Sequence, residues 1–306
     1  MPGVFWALIK KPSWLQVLTK HETSWSSQAE VSDWNNNIPT LQDDGAHFDE
    51  SPFYFEWWYF DATFGEGSTI SIIFHLTDLI NPLSKTGSID LSVFDHGKLV
   101  LQRFIPYAKE QIHASSDVCD VQIGKSRCFI ENDVYKIHIE EPEINADLTF
   151  ESASVGWRPG SGRFNFGHTN SFFSWIVPQP RAQVKGRIVI QGQERMVSGA
   201  GYHDHNWGTA SLLDTVDEWS WGRIYLEDYT CIFADIQLSP HYGGARVLPF
   251  SMLRGNQVLI SSFLQANQPI DPKRDFLSDP RSVDSPAGWH LQWEEQNKQL
   301  DLTLKT

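Results

Sequence analysis

Phe55-Glu56-Trp57-Trp58-Tyr59-Phe60-Asp61 is rich in large aromatic side chains, and an extended backbone deals them to both sides. Glu56, Trp58, Phe60 and the preceding Tyr54 share one face, and Trp57, Tyr59 and Asp61 share the other. Neither face can comfortably be left in water, so a strand of this composition is covered on both sides. Each face also carries a carboxylate among rings, which is costly without a purpose or a partner. The simplest partner for Glu56 is Arg223 or another buried cation, acting as a strut between layers.

Outward from this strand, short alternating runs bounded by Gly, Asn, Asp and Pro recur to the end of the chain, and hardly any stretch has a helical period. Strands are expected at 54–64, 68–76, 89–94, 98–105, 134–140, 146–151 and 184–191. A second set is expected at 195–202, 219–227, 230–238, 245–253 and 257–263, with a last hairpin at 289–294 and 300–305 around Gln296-Asn297. Asp95-His96-Gly97 and Gly255-Asn256 read as tight hairpin turns. The stretch 156–180, dense in Gly, Pro, Ser and aromatics, reads as irregular. A boundary near residue 180 gives two domains, 1–180 and 181–306. The opening fifty residues are expected to pack over the first of them, and 269–286 to form a polar loop.

The chain has 306 residues, 41% apolar and 20% charged, with net charge −14. Its cations are scattered, which opposes binding to a phosphate backbone, so nucleic acid is not an expected partner. The apolar run at 4–9 is too short for a signal or a span, so stable membrane insertion is not expected and a soluble, cytoplasmic protein is. Three cysteines without C-x-x-C spacing read as free thiols. Thirteen tryptophans suggest core, or a pocket for something flat and apolar.

Three segments could carry chemistry. In Gly201-Tyr202-His203-Asp204-His205-Asn206-Trp207-Gly208, strand geometry places Tyr202, Asp204 and Asn206 on one face and His203, His205 and Trp207 on the other. His-x-His is a common way to present two metal ligands, but spacing selects no third from His168, His241, His75 or Glu56, and such residues often only satisfy backbone groups. Asp204 among aromatics would have a raised pKa and act as an acid, or else order a turn. Trp219-Ser220-Trp221-Gly222-Arg223 aligns two indoles and a cation with Tyr225, as a core stripe or as π-faces for developing positive charge. No nucleotide-binding, zinc-protease or serine-hydrolase motif is present.

Together the three segments resemble the carotenoid 1,2-hydratase (hydroxyneurosporene synthase) and AttH-like group, whose relatives include fungal lipocalin-like Diels–Alderases. The resemblance covers roughly residues 45 to 265 by motif order and spacing. It implies an all-β protein of two lipocalin-like β-barrel domains in tandem, with a pocket between or within them and no metal or redox cofactor. His203-Asp204-His205-Asn206 is nearer to the cyclase-type relatives than to the carotenoid hydratases. The leading expectation is therefore a cofactor-independent, Diels–Alderase-like cyclase for an apolar polyene, polyketide or isoprenoid. Asp204, His203, His205, Glu56 and Arg223 are its candidate catalytic groups. Trp57, Trp58, Tyr59, Tyr202, Asn206, Trp207, Trp219 and Trp221 are its candidate substrate walls. The alternatives are a hydratase, with Asp204 or Glu56 protonating an alkene before water adds, and a carrier without chemistry.

Overall fold

The computed structural model describes residues 38–77, 86–167 and 171–264, together with the strands Val4–Lys10, Trp25–Ser27, Gly288–Glu295 and Lys298–Lys305. His168, Gln296-Asn297 and the loop 269–286 lie outside the described residues. The protein is nearly all β. In chain order the strands are β1 (Val4–Lys10), β2 (Trp25–Ser27), β3 (Phe55–Phe64), β4 (Ser68–His75), β5 (Thr86–Asp95), β6 (Lys98–Ala108) and β7 (Ile112–Ala114). There follow β8 (Asp120–Ile123), β9 (Ser126–Glu131), β10 (Val134–Glu141), β11 (Ile144–Ser152), β12 (Arg163–Phe166), β13 (Ser171–Ile190) and β14 (Gln193–Gly208). After a one-turn helix α1 (Leu212–Thr215) come β15 (Val216–Leu226), β16 (Tyr229–Leu238), β17 (Arg246–Arg254) and β18 (Gln257–Leu264). A hairpin of β19 (Gly288–Glu295) and β20 (Lys298–Lys305) lies in a separate compact unit that begins at Leu264.

Thirteen strands form one antiparallel sheet, ordered β6-β5-β4-β3-β14-β13-β11-β10-β9-β8-β7 with β12 and β2 off that path, and the sheet curls into a nearly closed barrel. Alternation fills its interior: every second residue of β4 is buried, and Trp58, Phe60, Ile72, Leu91, Ile137 and Leu148 meet in one core. The opposite faces of β3, β13 and β14 bury a second core against the five-stranded sheet β1-β15-β16-β17-β18, built on Trp57, Trp175, Tyr202, Trp221, Ile232 and Leu238. The aromatic strand β3 is thus covered on both faces, as its composition requires.

Two local features set this geometry. Gly199 and Gly201 let β14 run close between its neighbours: a Cβ at Gly199 would lie 2.0 Å from the Thr63 carbonyl oxygen, and one at Gly201 would meet Val184, Asp61 and Phe150. His96 and Gly97 both take positive φ, which makes the expected tight turn between β5 and β6.

The structure departs from expectation along 156–180. That stretch holds β12 and the first half of β13, and residue 180 falls inside β13. Pro178 and Pro180 sit where the β13–β14 register shifts, between Ile176 and Ala182. Prolines cannot donate to a ladder but are tolerated at such bulges, so their presence did not end the strand. The opening segment also differs: β1 pairs with β15, Ile9 opposite Trp219, and so extends the edge of the five-stranded sheet. Among the described residues no helix is long and apolar enough to cross a membrane.

Candidate active site

Strand β14 crosses the boundary between the two cores, and its alternation sends successive side chains to different environments. Tyr202, Asp204 and Asn206 face the core between the sheets. His203, His205 and Trp207 face the end of the barrel.

On the first side Asp204 is buried among aromatic rings. Its Oδ2 accepts from the Tyr202 hydroxyl at 2.8 Å and from the Trp175 indole N–H at 3.2 Å, and its Oδ1 accepts from the Asn206 amide at 2.8 Å. Burial drives its pKa up to about 6, against the pull of the Tyr202 hydroxyl, the nearby His203 charge and the other two donors. Trp221 lies 5.0 Å from the Tyr202 ring and 5.8 Å from Tyr59, while Trp57 packs on Phe55 and Phe173, with Trp219 edge-on to Phe173. Beside Phe173 and Trp219 is a narrow apolar cavity of about 10 Å³, walled also by Phe164, Phe166, Leu212 and Val247. That is room for roughly one water, and of the candidate groups Trp219 lines it. Two wider clefts, about 700 Å³ beside Tyr107, Lys125 and Glu140 and about 480 Å³ beside Arg181 and Lys185, open to solvent and include none of these groups.

Arg223 does not pair with Glu56. Its guanidinium grips Asp61 through both terminal nitrogens, Tyr59 donates to the same carboxylate at 2.9 Å, and the Tyr202 and Tyr225 rings flank the cation. Burial works against the Arg223 charge and the Asp61 carboxylate more than offsets it, so the guanidinium stays protonated. Asp61 is nearer because it shares the outer face of β3 with Trp57 and Tyr59, whereas Glu56 points into the barrel. The strut between layers exists, built on the other carboxylate.

On the second side the histidines are bound to carboxylates. His203 sends Nε2 to Asp44 at 3.0 Å and Nδ1 to the Tyr59 carbonyl at 2.9 Å. With an acceptor at each nitrogen the ring is an imidazolium; burial lowers its pKa, and Asp44 more than compensates, raising it to about 10. His205 spans Glu56 at 2.8 Å and Asp44 at 3.3 Å. Glu56 also accepts from the His47 backbone N–H at 2.9 Å and from the Tyr54 hydroxyl. Burial would raise the Glu56 pKa, but these hydrogen bonds, that of His205 foremost, hold it below the usual value. Glu56 is therefore ionised at neutral pH, unlike the protonated acid considered for it. Trp58 stacks on His205 and donates to the Asp44 carbonyl, and Trp207 stacks on His47 at 3.7 Å. Two groups of potential ligand atoms gather here, Asp44–Cys119–His203 and His47–Glu56–His205, each within 4.8 Å. The two histidines of His-x-His thus serve different groups, and their nitrogens already face carboxylates or a carbonyl.

The structure brings together Asp204, Tyr202, Asn206, Trp57, Tyr59, Trp219, Trp221 and Arg223. It places His203, His205, Glu56, Trp58 and Trp207 on the other side of the sheet. Sequence reasoning missed Trp175, hidden in a stretch read as irregular, and Asp44 and His47, which lie in a segment without strand or helix period. The demand for charges to balance two buried imidazoles calls for acids nearby but does not select Asp44 among those of the sequence.

A family model described as AttH-like matches residues 35–306. Hydroxyneurosporene dehydrogenase of Chlorobaculum tepidum is 26% identical over 214 residues, 58% of this chain and 55% of that protein. Quinolone epoxide rearrangement protein penF of Penicillium thymicola is 27% identical over 118 residues, 38% of this chain and 32% of that protein. The matches thus span about half and about a third of these curated relatives. Among solved structures, CghA with Sch210972 superposes with a TM-score of 0.61 at 13% identity, covering 89% of this chain and 84% of that one. An AttH protein from Nitrosomonas europaea gives 0.60 at 18% identity, covering 84% and 82%. Kievitone hydratase from Nectria haematococca gives 0.53 at 14%, covering 89% and 81%. These likenesses show a shared fold.

Proposed function

The chain belongs to the AttH-like family, and on that premise we propose that it is an enzyme that cyclises or rearranges a largely apolar small molecule, with Asp204 as its acid. The observation that carries this reading is the enclosure of Asp204: a carboxyl with a pKa of about 6, three fixed donors and walls of indole and phenol. Oδ2 already accepts two hydrogen bonds, so the mobile proton belongs on Oδ1. From there it is donated to, or hydrogen-bonds, an epoxide oxygen, a carbonyl or an alkene of the substrate. In the protonation route, positive charge develops beside the faces of Trp57 and Trp221. A nucleophile within the substrate then forms the new bond and returns one proton to the Asp204 carboxylate, so the product is an isomer. The relative named for quinolone epoxide rearrangement supports chemistry of this kind.

The kievitone hydratase that shares this fold supports a second reading. The same acid serves a hydratase if water captures the cation and loses the proton to Asp204, leaving a product heavier by one water. Incubation of the purified protein with panels of apolar epoxides, polyenones and terminal alkenes, followed by mass spectrometry, separates the two. Product of unchanged mass supports the isomerase and a gain of water supports the hydratase. Turnover that survives Asp204→Asn unchanged rules out the acid assigned here.

A further inference from the structure

Asn206 carries an unused valence beside this acid. It lies two residues beyond Asp204 on the same face of β14, with Trp175 opposite on β13 and Trp57 opposite on β3, and it is 3% exposed. Its amide orientation follows from the ionised form of its neighbour. An ionised Asp204 only accepts, so Asn206 must turn Nδ2 toward it, as the 2.8 Å contact records. The amide oxygen is thereby turned away from the carboxylate and, among the described residues, has no hydrogen-bond partner. A buried carbonyl left in this condition is costly and calls for a donor.

We propose that the Asn206 amide oxygen is a specificity group that receives an O–H or N–H donor next to the reacting centre, so that the preferred substrate is an apolar molecule bearing a hydroxyl or N–H, not a bare hydrocarbon. The proposal rests on the reading of Asp204 as the acid. Asn206 touches Oδ1, the oxygen from which the proton leaves, so a donor held on its other end sits within one residue's reach of the atom being protonated. Such a donor is well placed to be the nucleophile that captures the cation, and loss of its proton to Asp204 balances the step. Two sources offer this chemistry: a hydroxyl or N–H of the substrate itself, and a water molecule.

Titration of tryptophan fluorescence with geraniol and with geranyl methyl ether, which differ in the O–H, tests the assignment without reference to turnover. The wild type is expected to bind the alcohol about tenfold more tightly, because the ether leaves the amide oxygen unpaired. In Asn206→Leu that preference collapses to about twofold or less while the ether binds as before. Equal affinities in the wild type, with an ordered water on the amide oxygen in crystals of both complexes, assign the acceptor to water. Equal affinities without that water overturn the proposal and leave the Asp204 reading standing, as does a preference for the alcohol that persists in Asn206→Leu. If neither probe binds, the apolar-substrate reading falls and this one with it. The wild-type comparison needs no variant, so the test survives poor folding of Asn206→Leu.

Discussion

Asp204 sits where the needs of folding and of chemistry oppose each other. A carboxyl with a folded pKa near 6 and an unfolded value near 3.8 binds its proton more tightly when folded. Its contribution to stability is therefore greatest below pH 3.8 and is lost as pH rises through about 6, leaving a cost at neutral pH on the order of 3 kcal/mol. Asp204→Asn has no such titration. Urea unfolding of both proteins from pH 4 to 8 should show the variant gaining on the wild type over this interval, with the difference level above pH 7. The same variant should lose activity by at least about a hundredfold, and wild-type activity should fall as pH rises past 6. A variant that tracks the wild type across the whole range would mean that Asp204 titrates normally. Alternation along β14 was enough to anticipate both the residue and the face it occupies. Its anchor Trp175 was not legible, because no local pattern reports that a tryptophan beside two prolines will lie across the ladder from Asn206.

At the scale of elements, the segment holding Asp44 and His47 is bound to β14 by charge more than by backbone pairing. Asp44 accepts from His203 and from the Tyr135 hydroxyl at 2.7 Å, and His205 lies between Asp44 and Glu56. Two carboxylates thus face the His203 imidazolium and the His205 ring, whose proton affinity they raise, inside the barrel. The folded pKa of His203, about 10 against 6.5 unfolded, means that its contribution is full below pH 6.5 and is lost as pH climbs through 10. Thermal melting should therefore shift downward between pH 7 and 10. His203→Asn, which leaves Asp44 short of its cation, should cost about 3–5 kcal/mol at pH 6 and flatten that dependence. The strands themselves were largely readable because period-2 patterning is local. Not read as strands were the short β7, β8 and β9, the first half of β13, where proline marks a bulge instead of an end, and β1, whose partner β15 lies some two hundred residues away and leaves no trace in a local pattern.

For the molecule as a whole, the question is what keeps the barrel wall and the five-stranded sheet in register around Asp204. Packing of the aromatic core supplies most of the adhesion, but apolar contacts are tolerant of sliding, whereas a two-pronged ion pair has one geometry. Asp61 on β3 and Arg223 on β15 form that pair at 0% and 2% exposure, with Tyr59 donating to it and the Tyr202 ring against it. Removing one partner strands a buried charge, so Asp61→Leu or Arg223→Met alone should cost about 3–5 kcal/mol. The double variant restores neutrality, and chemical denaturation should find it markedly more stable than either single variant, close to the wild type. If the pair's role is to position the sheets, the double variant recovers stability without recovering full activity, because Tyr59 and Tyr202 then lose the fixed point that aligns them with Asp204. Recovery of both together would make the ion pair a replaceable spacer, and would leave the indole and phenol walls to set the geometry alone.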